Sequence, residues 1–272
     1  MDEFQVTGPN LELKYIYDEE LAKKLKEKYN LLEIAGEGDS FSKANNLLNW
    51  LSSNVYHHPT YDNHIKNNGV DLLEYSFKQG ADKGINCRAL SITLVDCLLS
   101  IGLKARAIYL MPCSPYDLDN HVVCEVFIPE LSKWIMLDPT YSTYFMDENN
   151  NVLNVLELRD LLANRGMFKV SENLNYNGDN DGNLEELRTY FAKNLFYLQF
   201  KEVQGFNSEE SEVVSLIRIA PKGYNVKKSA LVHVDYMIEF IEDKEELENW
   251  KKRIENTNAI YLSRDILEKS PI

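Results

Sequence analysis

Hydrophobic and charged residues alternate with helical spacing in three segments near the start of the chain. The segments 18–29, 40–55 and 70–80 carry apolar residues three and four positions apart, which predicts amphipathic helices. Ser40 is of a type that caps the start of a helix, and Gly80 is of the type that follows the last helical turn. This part of the chain is therefore predicted to be helical.

The hydrophobic pattern changes after residue 86. Residues 87–101 carry apolar side chains on nearly every side of a helix, which is typical of a helix that packs on more than one face. Three shorter runs at 104–111, 121–128 and 134–138 predict strands, and the short PELSK connection between the last two predicts a hairpin. A buried helix followed by antiparallel strands predicts an α+β fold.

The remaining segments carry weaker patterns. We predict a helix over 151–166 and then a linker or surface loop over the Asn/Asp/Gly-rich residues 172–183. Beyond it we predict a helix at 184–198, strands near 200–205, 212–220 and 230–238, and a helix at 242–254. The predicted organisation is an N-terminal helical segment (1–39), a core (40–171), the linker (172–183) and a C-terminal α+β extension (184–272) of unknown role.

Charge and hydropathy narrow the choice of partners. The 272-residue chain has a net charge of −14, which disfavours nucleic acid and anionic membrane surfaces because both are negative. No apolar run reaches the ~18 residues of a membrane-spanning helix. The N-terminus lacks the basic and apolar regions of a signal peptide, so we expect a cytoplasmic protein, although a secreted protein without its leader would look the same.

Cysteine and histidine spacing gives no support for a metal site. The four cysteines contain no CxxC pair and are too few for a disulfide scaffold, so we expect reduced thiols: Cys87, Cys97, Cys113 and Cys124. Three histidines share a polar loop, where solvated side chains are the more common outcome: His57, His58 and His64. We predict neither a metal nor a cofactor.

Cys87 is the first residue of the predicted buried helix. Asn86 is a favoured N-cap residue, which places Cys87 in the first turn. Unpaired N–H groups and the helix dipole stabilise a thiolate there, and the thiolate is the nucleophilic form of cysteine. A packed, unreactive thiol at the start of a helix is the alternative interpretation, and Cys87 alone does not decide between the two.

His121 and Asp138 supply the groups that such a nucleophile needs. His121 opens one predicted strand of the hairpin, and Asp138 ends the other. An imidazole can act as a base toward a thiol, and a carboxylate can orient the imidazole. The two side chains share a face of the hairpin only if paired residue numbers have an odd sum: 259 places them opposite, and 261 places them about 7 Å apart along the strand.

Three ordered blocks of sequence resemble the transglutaminase-like superfamily. GINCRALSITLVDCLLSIGLKARAIYL is similar to the family's nucleophile segment, in which a cysteine opens a helix and an I-G-[IL]-x-A-R turn leads into a strand. HVVCEVFIPELSKWIMLDPTY is similar to the next two blocks, in which a histidine starts H-x-x-x-E-V and a tryptophan precedes L-D-P-T. The resemblance covers residues 40–145, and the region after residue 172 matches nothing that we can place.

The resemblance implies a fold and a role for each residue. The fold would be a papain-like α+β core, in which a buried helix carrying the cysteine packs on an antiparallel sheet. Cys87 would be the nucleophile, His121 the base and Asp138 the orienting carboxylate. Val122 and Val123 stand where the family often has an aromatic residue, which would alter the substrate groove.

An oxyanion hole would complete the site. The backbone N–H of Cys87 is one natural donor, since it lies at a helix N-terminus. A second donor has to come from an upstream residue. Gln79, Tyr75 and Trp50 are the candidates by residue type, although each is more often structural in such a position.

Two functions from different classes follow. The first is cysteine-dependent acyl transfer or hydrolysis at a protein or peptide amide through a Cys87 thioester, with transglutaminase, protease, deamidase and amidase variants left open because they share the triad. The second is a catalytically silent protein-binding module on the same fold. The presence of all three triad residues, followed by Pro139 and Thr140 as in the family, favours the enzyme.

Overall fold

The computed structural model describes residues 3–4, 11–80, 83–117, 119–180, 183–210, 215–238, 240, 242–257 and 259–271. Its helices are α1 (Glu19–Tyr29), α2 (Leu31–Ala35), α3 (Ser40–Asn54), α4 (Gly69–Gln79), α5 (Cys87–Ser100), α6 (Val155–Ala163), α7 (Leu184–Asn194), α8 (Val226–Met237), α9 (Lys244–Asn256) and α10 (Asp265–Glu268). Its strands are β1 (Lys14–Ile16), β2 (Ala105–Met111), β3 (His121–Ile128), β4 (Lys133–Asp138), β5 (Thr143–Met146), β6 (Lys169–Val170), β7 (Tyr197–Lys201), β8 (Val203–Gly205), β9 (Leu216–Ile219) and β10 (Ala259–Tyr261). The α+β fold predicted from the sequence is confirmed.

One sheet joins the two halves of the chain. Its strand order across the described residues is β10-β9-β7-β2-β3-β4-β5-β6. Neighbouring strands are antiparallel except for β9 and β10, which are parallel. The C-terminal strands therefore extend the sheet from the edge of β2, while β1 and β8 form a separate parallel pair.

Helix α5 lies between the other N-terminal helices and the sheet. Every residue from 89 to 100 is buried, because α1, α3 and α4 contact one side of the helix and β2 and β3 contact the other. The Ser91 hydroxyl donates a hydrogen bond to the carbonyl oxygen of Val122 at 2.8 Å, which ties the helix to β3. The apolar circumference predicted for this helix thus reflects packing on two layers.

Strand β3 contributes side chains to a core on each face of the sheet. Val122, Cys124 and Val126 pack with the helices α1 to α5, whereas Val123 packs with a second core that includes residues of α6 and α7. This division follows from the alternation of side chains along a strand. Because both faces are covered, β3 is apolar at nearly every position and shows no clear alternation of polar residues.

The β3–β4 hairpin has the register that brings His121 and Asp138 onto one face. Cys124 pairs with Leu137, and every pair of this ladder has residue numbers that sum to 261. A short 3₁₀ turn over Pro129–Leu131 connects the strands, and Ser132 adopts a positive φ of 49° at its end. This is one of the two registers that the sequence pattern allows.

Two local predictions are wrong. The segment predicted as a strand at 230–238 lies in helix α8, which Asn225 caps by accepting a hydrogen bond from the Lys228 N–H at 2.9 Å. Its apolar positions fit both a helix and a strand, and the buried Val234 lies on the inner face of the helix. Helix α3 is capped by Asp39, whose Oδ1 accepts from the Ser42 N–H at 2.8 Å, and Ser40 is its first residue.

Other predicted boundaries shift or fall partly outside the described residues. The strand predicted at 212–220 is observed as β9, and residues 212–214 of that prediction lie outside the described part of the chain. The same is true of residues 181 and 182 of the predicted linker. The linker residues up to 180 include Asn177, which contacts the loop after α3.

Candidate active site

A cleft of about 680 Å³ opens at the N-terminus of α5. Its walls come from distant parts of the sequence and include His57, Asn86, Cys87, Tyr190, Gln199 and Trp250. Cys87 is half-buried, so its side chain is accessible from the cleft. The N-terminal half of the chain supplies the predicted nucleophile. The C-terminal half supplies part of the cleft wall, including Tyr190, Gln199 and Trp250.

Asn86 fixes the start of the helix that carries Cys87. Its Oδ1 accepts a hydrogen bond from the Ala89 N–H at 3.0 Å, and its Nδ2 donates to Asn63 Oδ1 at 3.0 Å. Asn86 therefore uses both ends of its amide, one to cap α5 and one to hold the loop after α3. The first N–H groups of the helix, including that of Cys87, have no partner within the helix, as at any helix N-terminus.

His121 and Asp138 form a buried pair. His121 Nε2 lies 2.7 Å from Asp138 Oδ2, and Asp138 Oδ1 accepts a hydrogen bond from the Thr140 N–H at 2.9 Å. Both residues are at most 1% exposed. With Nε2 bonded to the carboxylate, the other ring nitrogen of His121 is the one available to Cys87, with which the imidazole interacts.

Aromatic rings hold the imidazole of His121 in place. The rings of Tyr190 and Phe191, both on α7, contact it edge-on at centroid distances of 5.3 and 5.6 Å, and Tyr141 lies at 6.0 Å. These contacts exclude water from the His121–Asp138 hydrogen bond and restrict rotation of the ring. Helix α7 thus connects the C-terminal half of the chain directly to the predicted base.

The electrostatics of the site favour a thiolate and an imidazolium. Burial acts to raise the pKa of Cys87, but hydrogen bonds and charge from His121 and His57 outweigh it and lower that pKa to about 6. Burial acts to lower the pKa of His121, but the charge and hydrogen bond of Asp138, together with Cys87, raise it to about 10. Between these values the thiol is ionised while the imidazole remains protonated.

His57 is a site residue that the sequence analysis assigned to a solvated loop. Its ring interacts with the Cys87 thiol, and its Nδ1 lies 3.0 Å from the Tyr176 hydroxyl. Asn177 holds the His57 backbone on both sides, since its Oδ1 accepts from the His57 N–H at 2.7 Å and its Nδ2 donates to the His57 carbonyl at 2.9 Å. A bridge between His57 and Ile85 brings the residue beside the start of α5.

The three side chains predicted as oxyanion-hole donors do not line the cleft at Cys87. Gln79 and Tyr75 face a separate surface pocket that also contains His64, and the Tyr75 ring packs on that histidine at 5.1 Å. Trp50 packs on the rings of Tyr29 and Phe77. Their role as donors therefore stays a prediction without support from the cleft lining, whereas the loop after α3 brings His57 to the thiol.

Charged side chains on the cleft wall form an interconnected group. Glu209 accepts hydrogen bonds from Arg88 and the Tyr109 hydroxyl, each at 2.9 Å, and lies 3.9 Å from the Lys201 ammonium group. Asp119 pairs with Lys193 at 3.1 Å on the other side. These ion pairs fix the shape of the wall on either side of Cys87.

The other three cysteines differ from Cys87 in their surroundings. Cys97 and Cys124 are at most 1% exposed, and burial raises the pKa of each thiol. Cys113 is exposed in the loop after β2. The described residues contain no group of three or more His, Cys, Asp or Glu side chains arranged to hold a metal ion.

Comparison with known proteins finds a family model that matches part of the chain. Residues 28–139 match the family model described as the Transglutaminase-like superfamily, and this segment contains Cys87, His121 and Asp138. The resemblance stated from the sequence is thereby confirmed, and residues 28–139 form a transglutaminase-like core of the papain-like α+β kind. The chain matches no curated protein.

Two solved structures are similar to part of the chain. One is "a Putative Cysteine Protease from Cytophaga hutchinsonii", which is 19% identical with a TM-score of 0.35 over 44% of this chain and 37% of its own. The other is "a putative protease from Parabacteroides distasonis", which is 15% identical with a TM-score of 0.27 over 44% of this chain and 25% of its own. The chain therefore spans well under half the length of either relative. Across the described residues, every helix is too short or too polar to cross a bilayer.

Proposed function

We propose that the protein is a cysteine-dependent enzyme that cleaves or transfers the acyl group of a peptide or protein amide through a thioester on Cys87. One observation carries the proposal: a half-buried thiol at a helix N-terminus interacts with His121, whose Nε2 is 2.7 Å from the buried carboxylate Asp138. A nucleophile, a base and an orienting group in this order are the parts that acyl transfer requires.

In the proposed reaction, the Cys87 thiolate attacks the carbonyl carbon of a bound amide. The electrons of the C=O π bond move onto the oxygen, and the backbone N–H groups at the start of α5 stabilise the resulting oxyanion. The imidazolium of His121 gives its proton to the amide nitrogen, the oxyanion re-forms the C=O bond as the C–N bond breaks, and the amine leaves. The products of this step are the Cys87 thioester, the neutral imidazole and the free amine.

In the second half-reaction, neutral His121 takes a proton from the acyl acceptor, and the acceptor attacks the thioester. If the acceptor is water, the product is a carboxylic acid. If it is an amine, the product is a new amide. The Cys87–acyl bond breaks in both cases and restores the thiolate–imidazolium pair, while Asp138 keeps the imidazole in one orientation throughout.

His57 is proposed as a second side chain, besides His121, that assists Cys87. Its interaction with the thiol supports two roles: stabilising the thiolate before attack and donating to the oxyanion afterwards. The clamp from Asn177 and Tyr176 holds the ring in place for either role. This residue replaces Gln79, Tyr75 and Trp50 as the candidate second donor.

The test is a reaction of the wild-type chain and Cys87→Ala with a library of N-acetylated peptides in H₂¹⁸O, with and without dansylcadaverine. Products are read by mass spectrometry. A carboxylate carrying ¹⁸O indicates hydrolysis, and a dansylcadaverine adduct indicates transfer to an amine. Either product must vanish in Cys87→Ala. Peptide binding without product, or a product that persists in Cys87→Ala, contradicts the proposed function, and the former favours a catalytically silent binding module.

A further inference from the structure

A second cavity of about 260 Å³ adjoins the Cys87 cleft. It lies between the loop after β2 and the helices α8 and α9. Met111, Asn120, Gln199 and Trp250 line both spaces, so the two form neighbouring parts of one depression. The volume suits a single amino-acid side chain or a chain terminus and is below that of a typical drug-sized ligand site of about 300 Å³ or more.

The cavity contains a buried arginine without a carboxylate partner among the described residues. Arg218 on β9 is 8% exposed, and its Nε donates a hydrogen bond to the neutral Gln199 Oε1 at 3.1 Å. The buried Arg106 pairs with Glu125 at 2.7 Å and the partly buried Arg88 with Glu209 at 2.9 Å, while the buried Arg159 lies over the Phe4 ring and donates to the Leu195 carbonyl oxygen at 3.0 Å. A buried guanidinium is costly unless an anion compensates its charge, so the contrast points to an anion supplied from outside the chain.

The one acidic side chain on the cavity wall is already neutralised. Among the described lining residues, Asp117 is the only carboxylate, and it pairs with Lys193 at 3.0 Å. The remaining polar groups of the wall include the Asn120 amide, the Ser229 hydroxyl and the His233 ring, whose Nδ1 bonds the carbonyl oxygen of Pro115. The cavity therefore offers neutral hydrogen-bonding groups and an uncompensated positive charge.

From this arrangement, and resting on the proposed function, we infer that the Arg218 cavity is a carboxylate-binding subsite for the substrate whose amide reacts at Cys87. The planar fork of a guanidinium matches a carboxylate with two parallel hydrogen bonds. The carboxylate comes either from the C-terminus of a peptide or from an aspartate or glutamate side chain. The apolar surfaces of Trp250 and Pro115 would contact the carbon atoms that bear it.

The inference is tested by binding, with the chemistry removed by Cys87→Ala. Isothermal titration measures the Kd of four N-acetylated peptides that differ only at the C-terminus, as free acid or amide, and at the last side chain, as Glu or Gln. We expect the free acid, the Glu peptide or both to bind at least tenfold more tightly than the neutral counterpart. A preference for the free acid assigns a chain terminus to the subsite, and a preference for Glu over Gln assigns a side chain.

The Arg218→Gln variant, made in the same background, locates the preference. We expect it to weaken binding of the carboxylate peptide by about 10- to 100-fold, the range for hydrogen bonds to charged groups, and to leave the neutral peptide unchanged. Arg253→Gln removes the same charge from an exposed position of α9 and is the matched control. It should leave both affinities unchanged.

Equal affinity for the carboxylate and neutral peptides overturns the inference, and so does a preference that survives Arg218→Gln in a variant with an unchanged melting temperature. If Arg218→Gln does not fold, the comparison of acid with amide, repeated with Arg218→Lys, decides. The failure of the proposed function is a separate result. It would appear as turnover that does not depend on Cys87, whereas the binding experiment contains no turnover.

Discussion

The transglutaminase-like core and the C-terminal region share one sheet but contribute different things to the site. Residues 28–139 carry Cys87, His121 and Asp138, the groups that would make and break bonds. The C-terminal strands β7, β9 and β10 extend the same sheet from β2, and residues after 184 supply Tyr190 and Trp250 to the cleft wall. The predicted bond-making groups thus lie in the core, whereas the cleft wall combines residues of the core with residues of the C-terminal region.

This difference explains why one region is recognisable and the other is not. Proposed bond-making groups must lie in a narrow geometry, so the sequence around them is restricted to a few patterns. A cleft wall needs only the shape and charge of its own ligand, and many sequences provide a wall. If this division is correct, changes in the core should affect turnover, and changes in the C-terminal region should affect substrate affinity.

The largest effect is expected for Cys87→Ala. The variant should lose turnover by roughly four decades or more, since Cys87 is the group proposed to form the thioester. Its melting temperature should stay close to wild type, because Cys87 is half-buried and is the first residue of α5. Kinetics and thermal melting are measured side by side, with Cys113→Ala as the control at an exposed cysteine. A large drop in melting temperature with retained turnover would instead assign Cys87 to packing.

The next largest effects are expected for His121→Ala and Asp138→Asn. We expect the loss of kcat/KM in His121→Ala to approach that in Cys87→Ala. The loss in Asp138→Asn should be roughly a thousandfold, because the carboxylate no longer orients the imidazole or stabilises the imidazolium. Both variants should also raise the pKa of Cys87, since each weakens the imidazolium that stabilises the thiolate. Normal turnover in Asp138→Asn would show that the 2.7 Å contact is structural.

The C-terminal wall should affect KM and leave kcat largely unchanged. Trp250→Ala is expected to raise KM about tenfold with kcat within about twofold, because a wall contact made equally in the ground and transition states is lost. Phe240, which is exposed in the same region, provides the control Phe240→Ala, with no change expected. If Trp250→Ala lowered kcat and left KM unchanged, the C-terminal region would take part in the chemical step, and the proposed division between the two regions would be wrong.

The smallest effect is expected at His57. His57→Ala should raise the pKa of Cys87 and reduce kcat/KM by about tenfold at pH 6, with a smaller loss at pH 8 where the thiolate fraction recovers. His58→Ala is the matched control, since the His58 ring contacts Thr60 and, of these two adjacent histidines, His57 is the one that interacts with the thiol. Equal effects of the two substitutions at every pH would assign His57 to the loop structure.

Local pattern was sufficient for the buried helix and for the hairpin. The apolar circumference of 87–101 predicted burial on two sides, and the odd-sum requirement named the two registers that would place His121 and Asp138 on one face, of which the structure has the one with sum 261. Both features depend on side-chain periodicity within a single element or a single hairpin. Their catalytic roles remain predictions until the substitutions above are measured.

The features that were missed depend on contacts between distant segments. His57 reaches Cys87 because Asn177, 120 residues away, holds its backbone, and no local pattern encodes that contact. The sequence around Arg218 does not show that the side chain is buried beside Gln199 with no carboxylate partner among the described residues, because that environment depends on tertiary packing. The wrong strand at 230–238 arose because a short apolar run fits two periods, and packing against α9 selects the helix.

The central claim is that Cys87 and His121 form a thiolate–imidazolium pair at neutral pH. The most direct test is the rate of iodoacetamide alkylation at each cysteine as a function of pH, with the site assigned by mass spectrometry. The Cys87 rate should rise as pH increases through about 6, well below the range of an unperturbed thiol, and the rise should move to higher pH in His121→Ala. A Cys87 rate that rises only at alkaline pH, together with that of Cys113, would contradict the claim.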